Sequence, residues 1–313
     1  MWECCNLTIF LESAEAWDER RNIRKEFRPG TSSIQARGGY SFRSRQLHLC
    51  KRVQSKGTIM KTRVAVTGTI LFVLFCAVPL TGAQPAEIRV LSTHAAQEVI
   101  EELGPQFERA TGHKLSLGYD PAAAVRRQIE AGADFDVAIV TRRVIDDLAA
   151  KNKVKSDSIA DIGRSGLGVA VKKGAPKPDI STVEAFKRTL LNAKSVVRSS
   201  EGTSGAYFDQ LMTRLGIAAE MKGKTRLGPS GRIAEMVARG EVELAVQQIS
   251  EILPVKGADF VGPFPAEVQL YTMFSAGVGT AAKEPRAAQE FVKFLTEPAA
   301  APVIKSKGLD PAM

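Results

Sequence analysis

The sequence predicts an α/β protein whose main part folds as two lobes around a cleft, and three observations carry that expectation. From residue 87 onward, short apolar runs alternate with amphipathic stretches, the pattern of mostly parallel strands with helices on both faces. A β-rich segment flanked by glycines, "GRSGLGVAVKKG" (Gly163–Gly174), precedes Pro176 and Pro178 and has the character of a chain crossing between lobes. Further on, "VQLYTMFSAGVGT" reads as one long strand able to carry the chain back.

The N-terminal part stands apart. Residues 1–83 hold all four cysteines and both tryptophans, with 13 Lys+Arg against 6 Asp+Glu; residues 84–313 carry 30 against 28. The formal charge of +9 therefore resides mainly in the leader and gives no nucleic-acid footprint. Residues 1–59 lack periodicity and read as an extension, either upstream sequence read as protein or a disordered arm. At Met60 a new pattern begins: Lys61 and Arg63, an apolar run from Val64 to Leu80, then Thr81-Gly82-Ala83. That is the layout of a secretory signal over 60–83. The alternative is a retained anchor, although the run is short for a membrane span of about 20 residues and contains Pro79. Cleavage would start the chain near Gln84 and leave it without cysteine, which suits an oxidising compartment.

The elements follow in order. "EIRVLST" reads as a buried strand, and "AAQEVIEELGPQFERATG" as a helix stopped by Gly112. "HKLSLGY" is a second strand, with His113 expected at the surface, and "AAAVRRQIEAG" a second helix. "FDVAIV" and "RRVIDDLAAKNKV" repeat the unit, with Asp134 and Asp136 expected to orient the turn before the third strand. Past the crossing, Ser181 or Thr182 caps the helix of "STVEAFKRTLLNA". "KSVVRSS", "GTSGAYFDQLMTRLGI", "GRIAEMVARGE" and "VELAVQQ" continue the alternation, and the C-terminus reads as two helices broken at Pro298. The expected division is 84–165 for lobe 1, 166–265 for lobe 2, and 266–313 for the return to lobe 1.

Ligands of open parallel sheets bind beyond the carboxyl ends of the strands, often at helix N-termini. The loops there supply the candidate binding residues: Ser92, Thr93 and His94; Tyr119 and Asp120, with Arg126 on the next helix; Thr203, Ser204 and Gly205; Ser230 and Arg232; Gln247 and Gln248. "SSEGTSGA" reads equally as an anion cradle at a helix N-terminus and as an ordinary glycine-turn cap. Arg126 and Arg232 read equally as charge clamps and as solvated cations. Residues 84–313 hold two histidines and no cysteine, which gives no zinc spacing. Nucleophile-elbow, Walker and dinucleotide fingerprints are missing, so neither cofactor nor catalysis is expected.

Several stretches resemble the periplasmic solute-binding proteins of ABC importers, with the type II fold, and among them the molybdate-binding group. They are "FERATG" (107–112), "RQIEAGADFDVAIV" (127–140), "VARGEVELAV" (237–246), "FVKFLTEPAA" (291–300) and the closing "KGLDPA". The resemblance implies a monomer whose hinged lobes close on a small anionic or polar solute and deliver it to an inner-membrane permease, with no nucleic-acid partner. A membrane-anchored sensor on the same fold is the alternative. The resemblance also implies two oxyanion-binding serines and a tyrosine, which fall here at Ala95, at Ala122–Ala123 and at about Gln248. The ligand is therefore expected to be either a molybdate-like oxyanion or a small organic acid, read by His94, Asp120, Gln247 and Gln248.

Overall fold

The computed structural model describes residues 84–312. The extension expected at 1–59 and the export signal expected at 60–83 lie outside the described residues. In chain order the first lobe begins with β1 (Glu87–Thr93), α1 (Gln97–Thr111), β2 (Lys114–Asp120), α2 (Ala122–Glu130), β3 (Val137–Thr141), α3 (Arg142–Ala150) and β4 (Ala160–Ser165). The second comprises β5 (Leu167–Lys172), α4 (Val183–Asn192), β6 (Val196–Ser199), α5 (Thr203–Arg214), α6 (Ala218–Lys222), β7 (Thr225–Gly228), α7 (Ile233–Ala238), β8 (Leu244–Gln248), α8 (Ile249–Ile252) and β9 (Ala258–Pro263). The chain then returns through β10 (Thr272–Val278), α9 (Pro285–Thr296), α10 (Ala301–Ser306) and β11 (Asp310–Pro311).

Two sheets result, ordered β11-β4-β10-β3-β1-β2 and β7-β6-β8-β5-β9. Each has the same plan. Three strands run parallel (β2, β1, β3 and β7, β6, β8), and an antiparallel strand borders them: β10 beside β3 in one sheet, β5 beside β8 in the other. The sheets are therefore mixed, because the strands that cross between lobes enter against the parallel set. Only Gly166 separates β4 from β5. The return is shorter than the sequence suggested. Val268 ends a 3-10 turn, and the strand starts at Thr272 rather than at 268. Gln269 binds the two crossings together, accepting from Leu167 N (2.8 Å) and donating to Leu167 O (2.9 Å).

Side chains alternate across each sheet and feed a core on both faces. In the fully buried β3, Val137 and Ile139 join Phe107 and Phe291 on one face, while Ala138 and Val140 join Val125 and Leu148 on the other. In β8, Leu244 and Val246 pack with Phe186 and Phe208, and Ala245 with Ile233 and Val237. Each large apolar side chain so buried is worth about 1.5–3 kcal/mol. The local signals act as read: Gly112 ends α1 in the left-handed region (φ 79°), and Thr182 Oγ1 caps α4 by accepting from Ala185 N (3.1 Å). Asp136 accepts from Arg89 N, Lys283 N and Glu284 N, tying the turn before β3 to the start of α9.

His113 departs from expectation. It is buried: Nδ1 accepts from Ala86 N (3.0 Å), and Nε2 lies 3.3 Å from Glu290. A histidine at a strand start reads as surface until a helix from the far end of the chain covers it.

Candidate functional site: the cleft between the lobes

The parallel strands of both sheets end at one cleft. Its walls include Thr93, Thr141, Ser199 and Gln248, the last residues of β1, β3, β6 and β8, and it encloses about 720 Å³. A second cavity of about 630 Å³ adjoins it, and His94 and Glu251 line both.

The lobe 2 wall offers neutral donors. Gly202 caps α5 without a side-chain hydrogen bond, so the first turn of this 12-residue helix presents unpaired amides to the cleft. Thr203 and Ser204 add hydroxyls, and the Ser199 and Ser230 hydroxyls bond to one another at the same rim. Gly205 does not line the cleft. A Cβ there would stand 2.0 Å from Ser199 O, so this glycine lets α5 seat against β6.

The lobe 1 wall offers charge over a floor of methyl groups. Ala95, Ala122 and Ala123 line it, with Arg126, Arg142 and Arg143. Arg142 is held by Asp146 (2.9 Å) and Asp161 (3.1 Å), and Arg126 lies 3.8 Å from both Glu130 and Asp147. Arg143 has no carboxylate within 4.0 Å among the described residues.

The structure thus brings together Thr93, His94, Arg126, Thr203, Ser204, Ser230 and Gln248. Three other expected contacts belong to the scaffold. Ser92 is buried and turns its hydroxyl onto Thr93 O (3.1 Å). Asp120 accepts from Gln128 Nε2 (2.7 Å), bracing α2. Gln247 is fully buried and accepts from Ala234 N, the start of α7. Gln248 touches the cleft but serves the hinge: its amide meets Thr272 Oγ1 (3.0 Å) and, oriented to satisfy both ends, donates to Ser165 O and Gly166 O. Tyr119 and Arg232 face the second cavity, where Arg232 pairs with Glu235 (3.0 Å). The Tyr119 hydroxyl is buried without a partner, and burial beside Glu101 and Glu98 raises its pKa.

Sequence reasoning passed over Arg142, Arg143, Tyr207, Gln210, Tyr271 and Glu251, all on the cleft. The two arginines stand in the "VTRR" loop and were legible as cations after a strand. The others come from helix faces and the return crossing, which only the folded chain brings together.

The lobes touch at His94. Gly231 has φ 82°, and a Cβ there would lie 2.5 Å from the imidazole, so only glycine lets the ring seat. Burial lowers the His94 pKa and Arg232 adds to this, against Asp120, which leaves the ring uncharged at neutral pH. Burial also lifts Glu251 to about 7, opposed by the Gln247 side chain and the Gln248 amide.

A family model described as bacterial extracellular solute-binding protein matches residues 88–310. An aconitate isomerase from Pseudomonas sp is 35% identical over 245 residues, covering 76% of this chain and 93% of that one. The molybdate-binding protein ModA of Azotobacter vinelandii is 26% identical over 236 residues, covering 72% and 90%. The solved structure of the periplasmic molybdate-binding protein of Azotobacter vinelandii superposes with a TM-score of 0.63 at 19% identity, covering 72% of this chain and all of that one. Among the described residues no helix is long and apolar enough to cross a membrane.

Proposed function

The chain belongs to the bacterial extracellular solute-binding proteins, and we propose that its cleft captures a small organic anion with two or three carboxylates, of the size and charge of aconitate. One observation carries this reading: where the molybdate group places serines, the cleft has Ala95, Ala122 and Ala123, and the charge comes from Arg126, Arg142 and Arg143. A tetrahedral oxyanion is read by uncharged hydroxyl donors, whereas separate carboxylates suit separate guanidinium forks. A volume of about 720 Å³ also fits small-molecule pockets of roughly 300–1,000 Å³. A four-oxygen anion would leave most of it to water.

In this reading the ligand bridges the arginines of lobe 1 and the α5 N-terminus of lobe 2, favours the closed state, and is passed outside the cytoplasm to an inner-membrane permease. Thermal unfolding with acetate, succinate, trans-aconitate, sulfate and molybdate tests it. The melting temperature should rise with carboxylate number and stay flat with both oxyanions. A rise with molybdate alone would refute it.

A second reading, that the captured anion is also turned over, departs from the sequence expectation of binding alone. It is favoured by the relative called aconitate isomerase and by His94 and Glu251, which line the cleft from opposite lobes.

A further inference from the structure

We propose, on the reading that the cleft takes an aconitate-like anion, that Glu251 carries a proton between the two ends of the ligand's allylic unit and so isomerises it. Glu251 stands on α8, which packs against the 3-10 turn His94–Ala96 of the other lobe. It lines both cavities, at the place where they adjoin. Three buried polar atoms without partners among the described residues, His94 Nδ1, Tyr119 Oη and Ser250 Oγ, belong to residues that line the second cavity together with Glu251. Such atoms are rare in folded proteins, and three on one cavity with a carboxyl mark a place for a polar ligand. Glu251 is half-buried on the two cavities, and desolvation there lifts its carboxyl to about 7, so it is suited both to take a proton and to return one.

The chemistry needs no more than that carboxyl and a cationic surround. In an aconitate-like anion a CH2 bearing a carboxylate adjoins the carbon–carbon double bond. Ionised Glu251 takes one CH2 proton. The electron pair left behind forms a double bond to the central carbon, and the original π pair moves to the far carbon. Protonated Glu251 delivers the proton there. One C–H bond breaks and one forms, the carboxyl ends as it began, and no oxidant or cofactor is consumed. The shifted double bond can close in either geometry, which interconverts the cis and trans isomers. Charge that spreads onto the substrate carboxylates in between meets Arg126, Arg143 and the unpaired amides of α5. A search for nucleophiles misses this arrangement, since it contains none.

The test is proton NMR of the purified protein with trans-aconitate in deuterated water, beside calorimetry of the same samples. The wild type should produce the cis isomer and exchange the CH2 protons for deuterium. Glu251→Gln should slow both by ~100-fold or more while aconitate affinity stays within about threefold, and Glu251→Asp should retain part of the rate. The amide matches the protonated acid in shape, and a cooperative unfolding transition no lower than the wild type's would show that the variant folds. Glu251→Gln turning over at the wild-type rate would overturn the assignment. Tight aconitate binding by the wild type with neither exchange nor isomerisation would overturn the activity and leave the binding reading standing. Absence of aconitate binding would overturn both.

Discussion

The two walls of the cleft offer chemically different groups. Lobe 2 keeps an uncharged cradle: the open first turn of α5, two hydroxyls on it, and the Ser199–Ser230 pair at its rim. Lobe 1 has a methyl floor with three arginines around it. Neutral donors read the shape of any anion, whereas guanidinium groups count charges and fix their separation. On the proposed reading, ligand choice in this chain resides in lobe 1, while lobe 2 supplies general anion affinity.

Changes that break this division should be graded. The largest effect belongs to Arg143→Gln, which removes the cleft arginine that no carboxylate neutralises. A charge-assisted hydrogen bond of about 1.5–3 kcal/mol corresponds to a roughly 10- to 150-fold loss of aconitate affinity by calorimetry. Gly231→Ala places a methyl against the His94 ring when the lobes are closed. Beside the backbone strain that alanine meets at φ 82° in either state, a clash of about 1–3 kcal/mol with the ring weakens binding roughly 5- to 150-fold, and scattering should show a more open molecule. Ser204→Ala removes one neutral donor of about 0.5–1.5 kcal/mol, hence roughly 2- to 12-fold, and should weaken every anion alike. Only the first of these variants should change selectivity.

The smallest effect is on stability. The folded state raises Glu251 from the usual glutamate value of 4.5 to about 7, so it holds this proton more tightly than the unfolded chain does. Its contribution is complete below about pH 4.5 and is lost as pH rises through about 7. Glu251→Gln cannot lose that proton. The variant should melt with the wild type at pH 4.5 and a few degrees above it at pH 8.

Local chemistry was legible in the sequence; closure was not. Gly112, Thr182 and Asp136 act where their neighbours in sequence placed them, and the cleft loops lie at the strand ends where parallel sheets put them. Ser92, Asp120 and Gln247 were misplaced because polar residues at strand ends serve equally well to satisfy buried backbone and brace helices. Glu251 was missed for the opposite reason. Nothing within α8 marks it as unusual, and its environment is made by His94 and Tyr119, which lie more than a hundred residues away in the chain. The alanines at 95, 122 and 123 were informative from the start, because a hydroxyl absent from an expected position can be read without coordinates.

The central claim, that this cleft selects separate carboxylates over a tetrahedral oxyanion, is tested most directly by one calorimetric titration. The purified protein is titrated with trans-aconitate, first alone and then with molybdate present in excess. The account predicts micromolar or tighter aconitate binding that molybdate leaves unchanged. Tight molybdate binding that excludes aconitate would contradict it.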